Sequence, residues 1–546
     1  MYERSRWWVL AAVSLATFMT YLDTSVVNVS LPTIQRDLGL SIAGLEWIVS
    51  GYILVFAGLM LAGGRLADVY GRRRVFLAGL ALFTAASLLA GLASTPAWLV
   101  AGRMLQGGGA ALLTPAGLAL LPVVFARPKE RATAVAVWSA VGALALAFGP
   151  LTGGLIIERW HWGWIFGINV PVGLATMAIA AAAIHEPPPS RVRHLDLPGL
   201  VTSTVALLAL TYALIEGERL GWTSPLILGA FGTAAAAGFA FVVLESASAA
   251  PMLVLSLFSS RAFSGGTAAI GVWAFGIFGV YLFTSLYLQD VLGFSPVRTG
   301  LAFVPMALVL AVVAAASAPL AARIGIHLTV AAGLTWMAAA VFGLSRLGSD
   351  AGMADLMPWL VLYGVGGGLL VPLTDAILGQ FPAAREGVAS GVLNATRQVF
   401  GLLGVTVLGA VVATRGAAQQ RAGAAPAAAF LTAYQQALLI AVAVIALGVP
   451  ITLLALRPGR TRHAGPTVTP IPHAPIPHAP AWQAPAWQAP SGYAGPRPYA
   501  APMPAAYAVP VARPTGYAMP APVPYAGPAG PAPYPPIPYP VPAPGR

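Results

Sequence analysis

Gly63-Gly64-Arg65-Leu66-Ala67-Asp68-Val69-Tyr70-Gly71-Arg72-Arg73-Arg74 joins two hydrophobic runs, roughly 44–64 and 75–93. Each run is long enough to cross a bilayer, and so short a connector makes the two antiparallel neighbours. Arg65, Arg72, Arg73 and Arg74 favour the cytoplasmic side for this connector. Asp68 is expected just ahead of the next helix, where a carboxylate meets the positive end of the helix dipole. Gly71 permits a turn that a side chain would resist.

The rest of the chain extends this pattern. It is 58% hydrophobic and only 8% charged over 546 residues, with a mean hydropathy of +0.79. Soluble domains carry about a quarter charged residues, so this is an all-α polytopic membrane protein. The absence of cysteine removes disulfides and thiolate metal sites. A net charge of +12 raises the question of nucleic acid. Its arginines lie in short connectors between apolar runs, however, as orientation signals do. Lys129 is the only lysine, a bias that a GC-rich bacterial genome produces. The first apolar run follows Arg4 and Arg6 but is too long for a signal peptide and lacks an obvious cleavage site, so it reads as a retained span.

Fourteen spans are expected, at about 8–31, 44–64, 75–93, 97–122, 132–157, 163–184, 197–216, 224–244, 262–288, 299–320, 326–345, 357–378, 386–412 and 432–456. With the N-terminus inside, the cytoplasmic connectors hold 17 Lys and Arg and the outer ones 7. That bias agrees with both termini in the cytoplasm. Ala318-Pro319-Leu320-Ala321-Ala322-Arg323-Ile324-Gly325 repeats the Leu-to-Gly spacing of the first connector, with Ala322 where Asp68 stands. The expected division is therefore a six-helix half (1–190), two inserted helices (191–260), a second six-helix half (261–460) and a tail (461–546). Parallel halves related about the membrane normal suit such a repeat. In the tail, Ile471-Pro472-His473-Ala474-Pro475 and Ala481-Trp482-Gln483-Ala484-Pro485 each repeat at once. This Pro/Ala/Tyr-rich composition predicts a disordered cytoplasmic segment whose partner, if it has one, is unknown.

Function must reside in the few charges inside the membrane. These are Asp23, Arg103, Arg397 and, near a helix end, Asp375. A mid-helix charge costs roughly 2.5–3.5 kcal/mol on insertion scales, so each needs a reason. Asp23 lies ~12 Å of helical rise from the outer end of span 1, and Arg103 ~9 Å from the outer end of span 4. They share a depth and can meet, either as a coupling site or as an ion pair that only locks two helices. Arg397 lies near mid-depth in span 13 beside Asn394 and Gln398. Asp375 reads as a cytoplasmic helix-end carboxylate near Arg385. In span 5, Gly142, Ala145, Gly149 and Gly153 form one small-residue stripe, with Pro150 beside it to bend the helix.

Several of these motifs resemble one family. The order G-x-L-A-D-x-x-G-R-R, with Gly64, Asp68, Gly71 and Arg72, is similar to the loop signature of the major facilitator superfamily. Leu22-Asp23-Thr24-Ser25-Val26-Val27-Asn28-Val29-Ser30-Leu31-Pro32 resembles the first-span signature of its fourteen-span drug–proton antiporter branch. Arg103-Met104-Leu105-Gln106-Gly107-Gly108-Gly109 resembles the fourth-span motif, whose arginine is implicated in proton coupling. Gly149-Pro150-Leu151-Thr152-Gly153-Gly154 resembles the fifth-span antiporter motif. Residues 288–296 and 389–394 also look like that branch, and the likeness covers about residues 8–456. Val69 and Ala145 depart mildly from the family pattern.

The resemblance implies a major facilitator fold of 14 transmembrane helices (6+2+6). It implies a proton-driven exporter of drugs or other amphipathic or cationic small molecules, without a cofactor, working by alternating access in the cytoplasmic membrane. Asp23 and Arg103 would couple to protons, and Gly64, Asp68, Gly71 and Arg72 would form a conformational latch. Gly149, Pro150, Gly153 and Gly154 would carry the antiporter motif, and Asn28, Gln106, Asn394 and Arg397 are cavity candidates. Two rivals stand beside it: a dedicated exporter of the organism's own metabolite, and a membrane sensor or scaffold that does not transport. No G-x-x-x-x-G-K-[ST] or H-E-x-x-H motif and no pairing of Ser, His and Asp suggest ATP-driven pumping or hydrolysis. The partners expected are a small-molecule substrate, protons and the bilayer, with no nucleic acid.

Overall fold

The computed structural model describes residues 2–125, 127–186, 196–248, 251, 253–381 and 383–457. The tail and its expected disorder lie outside the described residues. The first four long helices are α1 (Tyr2–Leu38), α2 (Ile42–Tyr70), α3 (Arg72–Gly91) and α4 (Pro96–Val124). Then come α5 (Pro128–Arg159) and α6 (Trp164–Ala183), which is interrupted at Ile168. The inserted pair is α7 (Leu197–Leu220) and α8 (Pro225–Ala247). The remaining six are α9 (Arg261–Leu286), α10 (Pro296–Ile324), α11 (Ile326–Leu344), α12 (Met353–Leu378), α13 (Ala383–Arg421) and α14 (Pro426–Ala455). α12 breaks at Leu370 and Val371, ahead of Pro372, and α9 ends in a π turn, Tyr287–Val291. Among the described residues, 13 helices are long and apolar enough to cross a membrane. α5, at 32 residues, holds the remaining expected span.

The helices are longer than the apolar runs because backbone hydrogen bonding continues past the hydrophobic stretch. Starts are set by local chemistry: Thr95-Pro96, Ser224-Pro225 and Ser295-Pro296 each place a hydroxyl cap before a proline at the first helical position. The caps accept from the backbone N–H of Trp98, Ile227 and Arg298. Proline at that position has no N–H to leave unsatisfied.

The opening stretch corrects the expectation of a polar loop. α2 continues through Arg65, Asp68 and Tyr70, and only Gly71 separates it from α3, with φ 106°. A backbone angle in that region is one that glycine adopts readily. Gly325 does the same between α10 and α11, with φ 92°. The N–H of Gly71 bonds to the carbonyl of Ala67 and that of Gly325 to the carbonyl of Ala321, at 3.2 and 2.9 Å.

The helix partners repeat as well. In the first six helices α1 packs on α5 and α6, and α4 on α2 and α3, with α3 also on α6. In the last six, α9 packs on α13 and α14, and α12 on α10 and α11, with α11 also on α14. The two sets meet reciprocally, through α2 against α13 and α5 against α10. α7 lies against both α2 and α13, and α8 packs on α7. Only 6% of the apolar window of α8 is buried, which suits a helix facing lipid.

Candidate functional site

Asp23 is 1% exposed. Two other helices supply its partners, and two more hold those partners in place. Arg103 Nη1 from α4 meets its Oδ2 at 2.5 Å, and the Arg103 side chain is itself 2% exposed. Gln106 Nε2, one turn further on α4, donates to Oδ1 at 3.0 Å. Asn169 Nδ2 from α6 donates to the same oxygen at 2.9 Å. The arginine is held in turn: its Nη1 donates to Gln106 Oε1 at 2.8 Å and its Nε to the Ile48 carbonyl of α2 at 3.2 Å. Gln106 Nε2 also reaches Ser87 Oγ on α3 at 2.7 Å. The Tyr52 ring lies 4.4 Å from the guanidinium carbon, close enough for a cation–π contact.

A pair this deep is stable because both oxygens of Asp23 and the Nε and Nη1 of Arg103 are hydrogen-bonded. Removing one partner from a buried pair costs about 3–5 kcal/mol, because the other charge stays behind. The shared depth expected of Asp23 and Arg103 is thus matched by direct contact. Gln106, expected at a cavity wall, is wholly buried in the network. Asn169, Ser87 and Tyr52 were not singled out from the sequence, because a neutral polar residue in an apolar run carries no flag of its own.

The span 5 stripe packs on α1. A Cβ at Gly142 would meet the Tyr21 ring at 2.7 Å, at Gly149 the Ser25 side chain at 2.5 Å, and at Gly153 the Val26 carbonyl at 3.0 Å. Ala145 is buried on the same face. Gly154 instead faces α10, where a Cβ would lie 2.6 Å from the Pro296 carbonyl oxygen. Opposite, a Cβ at Gly300 would run into the Pro150 carbonyl. Close backbone approach therefore joins α5 to α1 and to α10, and no side chain larger than hydrogen fits at Gly154 without movement.

Further polar contacts cross between the two six-helix sets nearby. Ser285 Oγ donates to the Asn28 carbonyl at 3.0 Å, and Gln289 Nε2 to the Val29 carbonyl at 2.8 Å. The Val297 N–H donates to Glu158 Oε1 at 3.1 Å. Asn28 is buried at this seam. All of these lie at the helix ends that the arginine bias assigns to the outside.

At the other end, Arg72 Nη2 donates to Asp68 Oδ1 at 3.1 Å and Nη1 to the Ala119 carbonyl of α4 at 2.8 Å. Gly64 has only an ordinary contact, 3.6 Å, to Pro115. The carboxylate at the start of α3 is Glu186, not Asp68. Its two oxygens accept from the N–H groups of Arg73 and Arg74, both at 3.2 Å. Asp68 lies too early, within α2, to fill that role.

In the last six helices, Arg397 stacks 5.2 Å from the Trp273 ring, and its Nε is buried without a hydrogen bond. Asn394 donates to the Ser390 carbonyl of its own helix at 3.2 Å. Asp375 sits exposed on the short segment Pro372–Leu378.

A bundle of membrane-length helices in two like-paired halves, with a sealed ion pair in one of them, defines a multi-pass membrane transporter. The chain belongs to the Major Facilitator Superfamily, whose sequence profile matches residues 13–405. It is 37% identical over 414 residues to Multidrug resistance protein Stp of Mycobacterium tuberculosis, covering 75% of this chain and 76% of that one. It is 37% identical over 411 residues to Puromycin resistance protein pur8 of Streptomyces alboniger, covering 74% and 82%. It is 36% identical over 411 residues to a Tetracenomycin C resistance and export protein of Streptomyces glaucescens, covering 75% and 76%. Among solved structures it is similar in fold to a bacterial homologue of the human lysosomal transporter Spinster in an inward-facing conformation. That match has a TM-score of 0.60 at 17% identity and covers 83% of this chain and 97% of that one.

Proposed function

We propose that the chain exports drugs or other amphipathic small molecules, cationic ones included, across the cytoplasmic membrane in exchange for protons, by alternating access. The observation that carries this is Asp23, a carboxylate sealed in the outer half of α1 and held by groups from α4 and α6. Parting Arg103, Gln106 and Asn169 from Asp23 would strip the carboxylate of its hydrogen-bond partners, so proton binding there would be tied to helix movement.

The outer seam supplies that movement. The side chain of Asp23 is fully buried, and α1–α9 and α5–α10 are joined at their outer ends. Parting of those ends admits a proton, which releases Arg103 from Asp23 and loosens α1 from α4. Reclosure and opening on the inner side re-form the ion pair and deliver the proton to the cytoplasm. We assign Gly149, Pro150, Gly153 and Gly154 to the hinge surface of this seam. Asp68 and Arg72, with Gly64 and Gly71, belong to the cytoplasmic latch, and Asn394 and Arg397 to the substrate cavity. The two halves divide at about residues 190 and 260, and both termini are cytoplasmic.

A second reading, export of the organism's own product, is favoured by one observation. The relatives include a Tetracenomycin C resistance and export protein and a Cephamycin export protein. Both readings use the same site. Uptake of a panel of dyes and antibiotics into inverted vesicles, with and without an imposed pH gradient, tests the coupling. Transport that ignores the gradient, or that survives Asp23→Asn at the full rate, overturns it.

A further inference from the structure

Glu46 is a second carboxyl taken out of water, and the coupling scheme above makes no use of it. It sits on α2 near its outer end and is 1% exposed. Its Oε2 is buried with no hydrogen-bond partner. The carboxyl group rests on α13, where Gly409 leaves the room; a Cβ there would collide with both carboxyl oxygens. Glu46 therefore lies in the seam between the halves, on the α2–α13 side opposite α5–α10.

Among the described residues, no positive charge is set against it. From α13, the neighbours of Gly409 are Leu408, Ala410 and Val412, and Arg415 further along is exposed. From α7, the facing charge is Glu216, a carboxylate whose oxygens already accept from Trp47 Nε1 at 3.0 Å and Arg219 Nε at 2.7 Å. Glu218 on α7 and Arg421 on α13 pair with each other at 3.8 Å. From α4, Arg103 is committed to Asp23, Gln106 and Ile48. The start of α2 does not serve either: Ser41 caps Gly44, and the dipole acts within the first turn, which Glu46 has passed. A carboxylate here would have neither cation nor donor, a cost that proteins avoid by keeping such a group neutral.

We propose that Glu46 is a second proton-binding site, one that gates the outer α2–α13 seam: it carries a proton while the seam is packed and gives it to outer water when the two helices part. The proposal rests on the alternating-access reading but not on the role of Asp23. The packed seam then binds one proton more than the open seam, so lowering outer pH closes it and raising outer pH opens it. For one linked proton the closed-to-open ratio falls by at most about tenfold per pH unit. Outer acid would in this way speed the return of the empty carrier after it releases substrate.

The chain has no cysteine, so labels can be placed without background. Spin labels at Ala43→Cys and Ala422→Cys, at the outer ends of α2 and α13, report the seam by their distance distribution in lipid nanodiscs between about pH 5 and pH 8.5. The long-distance population should rise with pH in the otherwise wild-type protein and in Glu46→Asp. It should stay low and flat in Glu46→Gln and in Glu46→Ala, two changes that remove the carboxyl in different ways. A merely structural glutamate would alter thermal stability in these variants and leave the pH profile in place. An unchanged profile in Glu46→Gln or Glu46→Ala, or no pH response in the labelled wild type, overturns the proposal. Asp23→Asn in the same assay separates the two sites. Loss of the response there, with its retention in Glu46→Gln, assigns the gate to Asp23 and overturns the proposal. A retained response in Asp23→Asn, whatever its transport, supports Glu46.

Discussion

The first and last six helices share a pairing scheme and a glycine hinge, yet their interiors differ in kind. The first half buries a carboxylate, a guanidinium and two amides drawn from α1, α4 and α6. Among the described residues of the last half, the fully buried polar side chains are neutral. Thr284 on α9 and Tyr434 on α14 share a hydrogen bond of 3.0 Å, and Tyr434 stacks on Tyr287 at 4.9 Å. Tyr287 donates in turn to the Gly348 carbonyl. The two halves thus share a packing geometry, which depends on small residues and helix length, but not the electrostatics of their interiors. Under the proposed coupling, the first half responds to the proton and the last half serves as its frame.

The largest effects should follow from that contrast. Arg103→Ala leaves Asp23 without its cation and is expected to cost about 3–5 kcal/mol. Asp23→Asn keeps the volume and an oxygen for Gln106 and Asn169 but turns an N–H donor toward the stranded Arg103; it should lose a comparable amount of stability yet leave folded protein with no pH-driven flux. Tyr434→Phe removes one neutral hydrogen bond and should cost only about 1 kcal/mol, with pH-driven export retained. Thermal unfolding of the purified variants and vesicle transport measure both sides. Loss of proton coupling in Tyr434→Phe would break the comparison. Rescue of Asp23→Asn stability and flux by neutralising Arg103 as well would reduce the pair to a structural lock.

The hinges offer a finer test. Gly71 and Gly325 have φ 106° and 92°, so alanine at either is strained by about 1–3 kcal/mol. The surroundings differ. A Cβ at Gly71 would strike the Glu186 carboxylate that caps α3, whereas at Gly325 it would meet the His327 ring at 2.8 Å. Gly71→Ala should therefore lower the unfolding temperature more than Gly325→Ala. Equal losses would mean that backbone strain alone governs both hinges and that the Glu186 cap contributes nothing.

Much of this was legible before the structure, for physical reasons that can be named. An apolar run of bilayer length is its own signal, and a charge within one is conspicuous. Helical rise then placed Asp23 and Arg103 at one depth. Asn169 and Ser87 were not legible, because a neutral polar residue in a membrane helix gains meaning only from what it touches. Glu46 was missed because it sits at the end of an apolar run, where a carboxylate is ordinarily in water; the covering helices α7 and α13 are far away in sequence. The polar stretch after residue 64 reads as a loop by composition. Yet Arg65, Leu66, Ala67 and Asp68 can all continue a helix, and only the glycine stops it.

The smallest expected effect lies at Asp68, where Ala322 occupies the corresponding place in the second half. The Asp68–Arg72 pair is about one-third exposed, at 34% and 27% for the two side chains. Screening holds such a pair to about 0–1 kcal/mol, so Asp68→Asn should barely change thermal stability. Its influence should appear in turnover instead. The pair sits where α2 ends, Arg72 also grips the Ala119 carbonyl of α4, and the two helices meet the other half through α2 against α13. A change of a few tenths of a kcal/mol that acts on one conformer only shifts the conformational balance without touching the binding groups. Asp68→Asn is thus expected to keep substrate affinity and slow export several-fold, while Ala322→Asp, which restores the missing acid to the second hinge, should leave the rate close to wild type. Equilibrium binding and initial vesicle rates for the two variants decide the matter. A wild-type rate in Asp68→Asn would remove the latch from the cycle, and equal slowing in both would show that the halves contribute alike at this end.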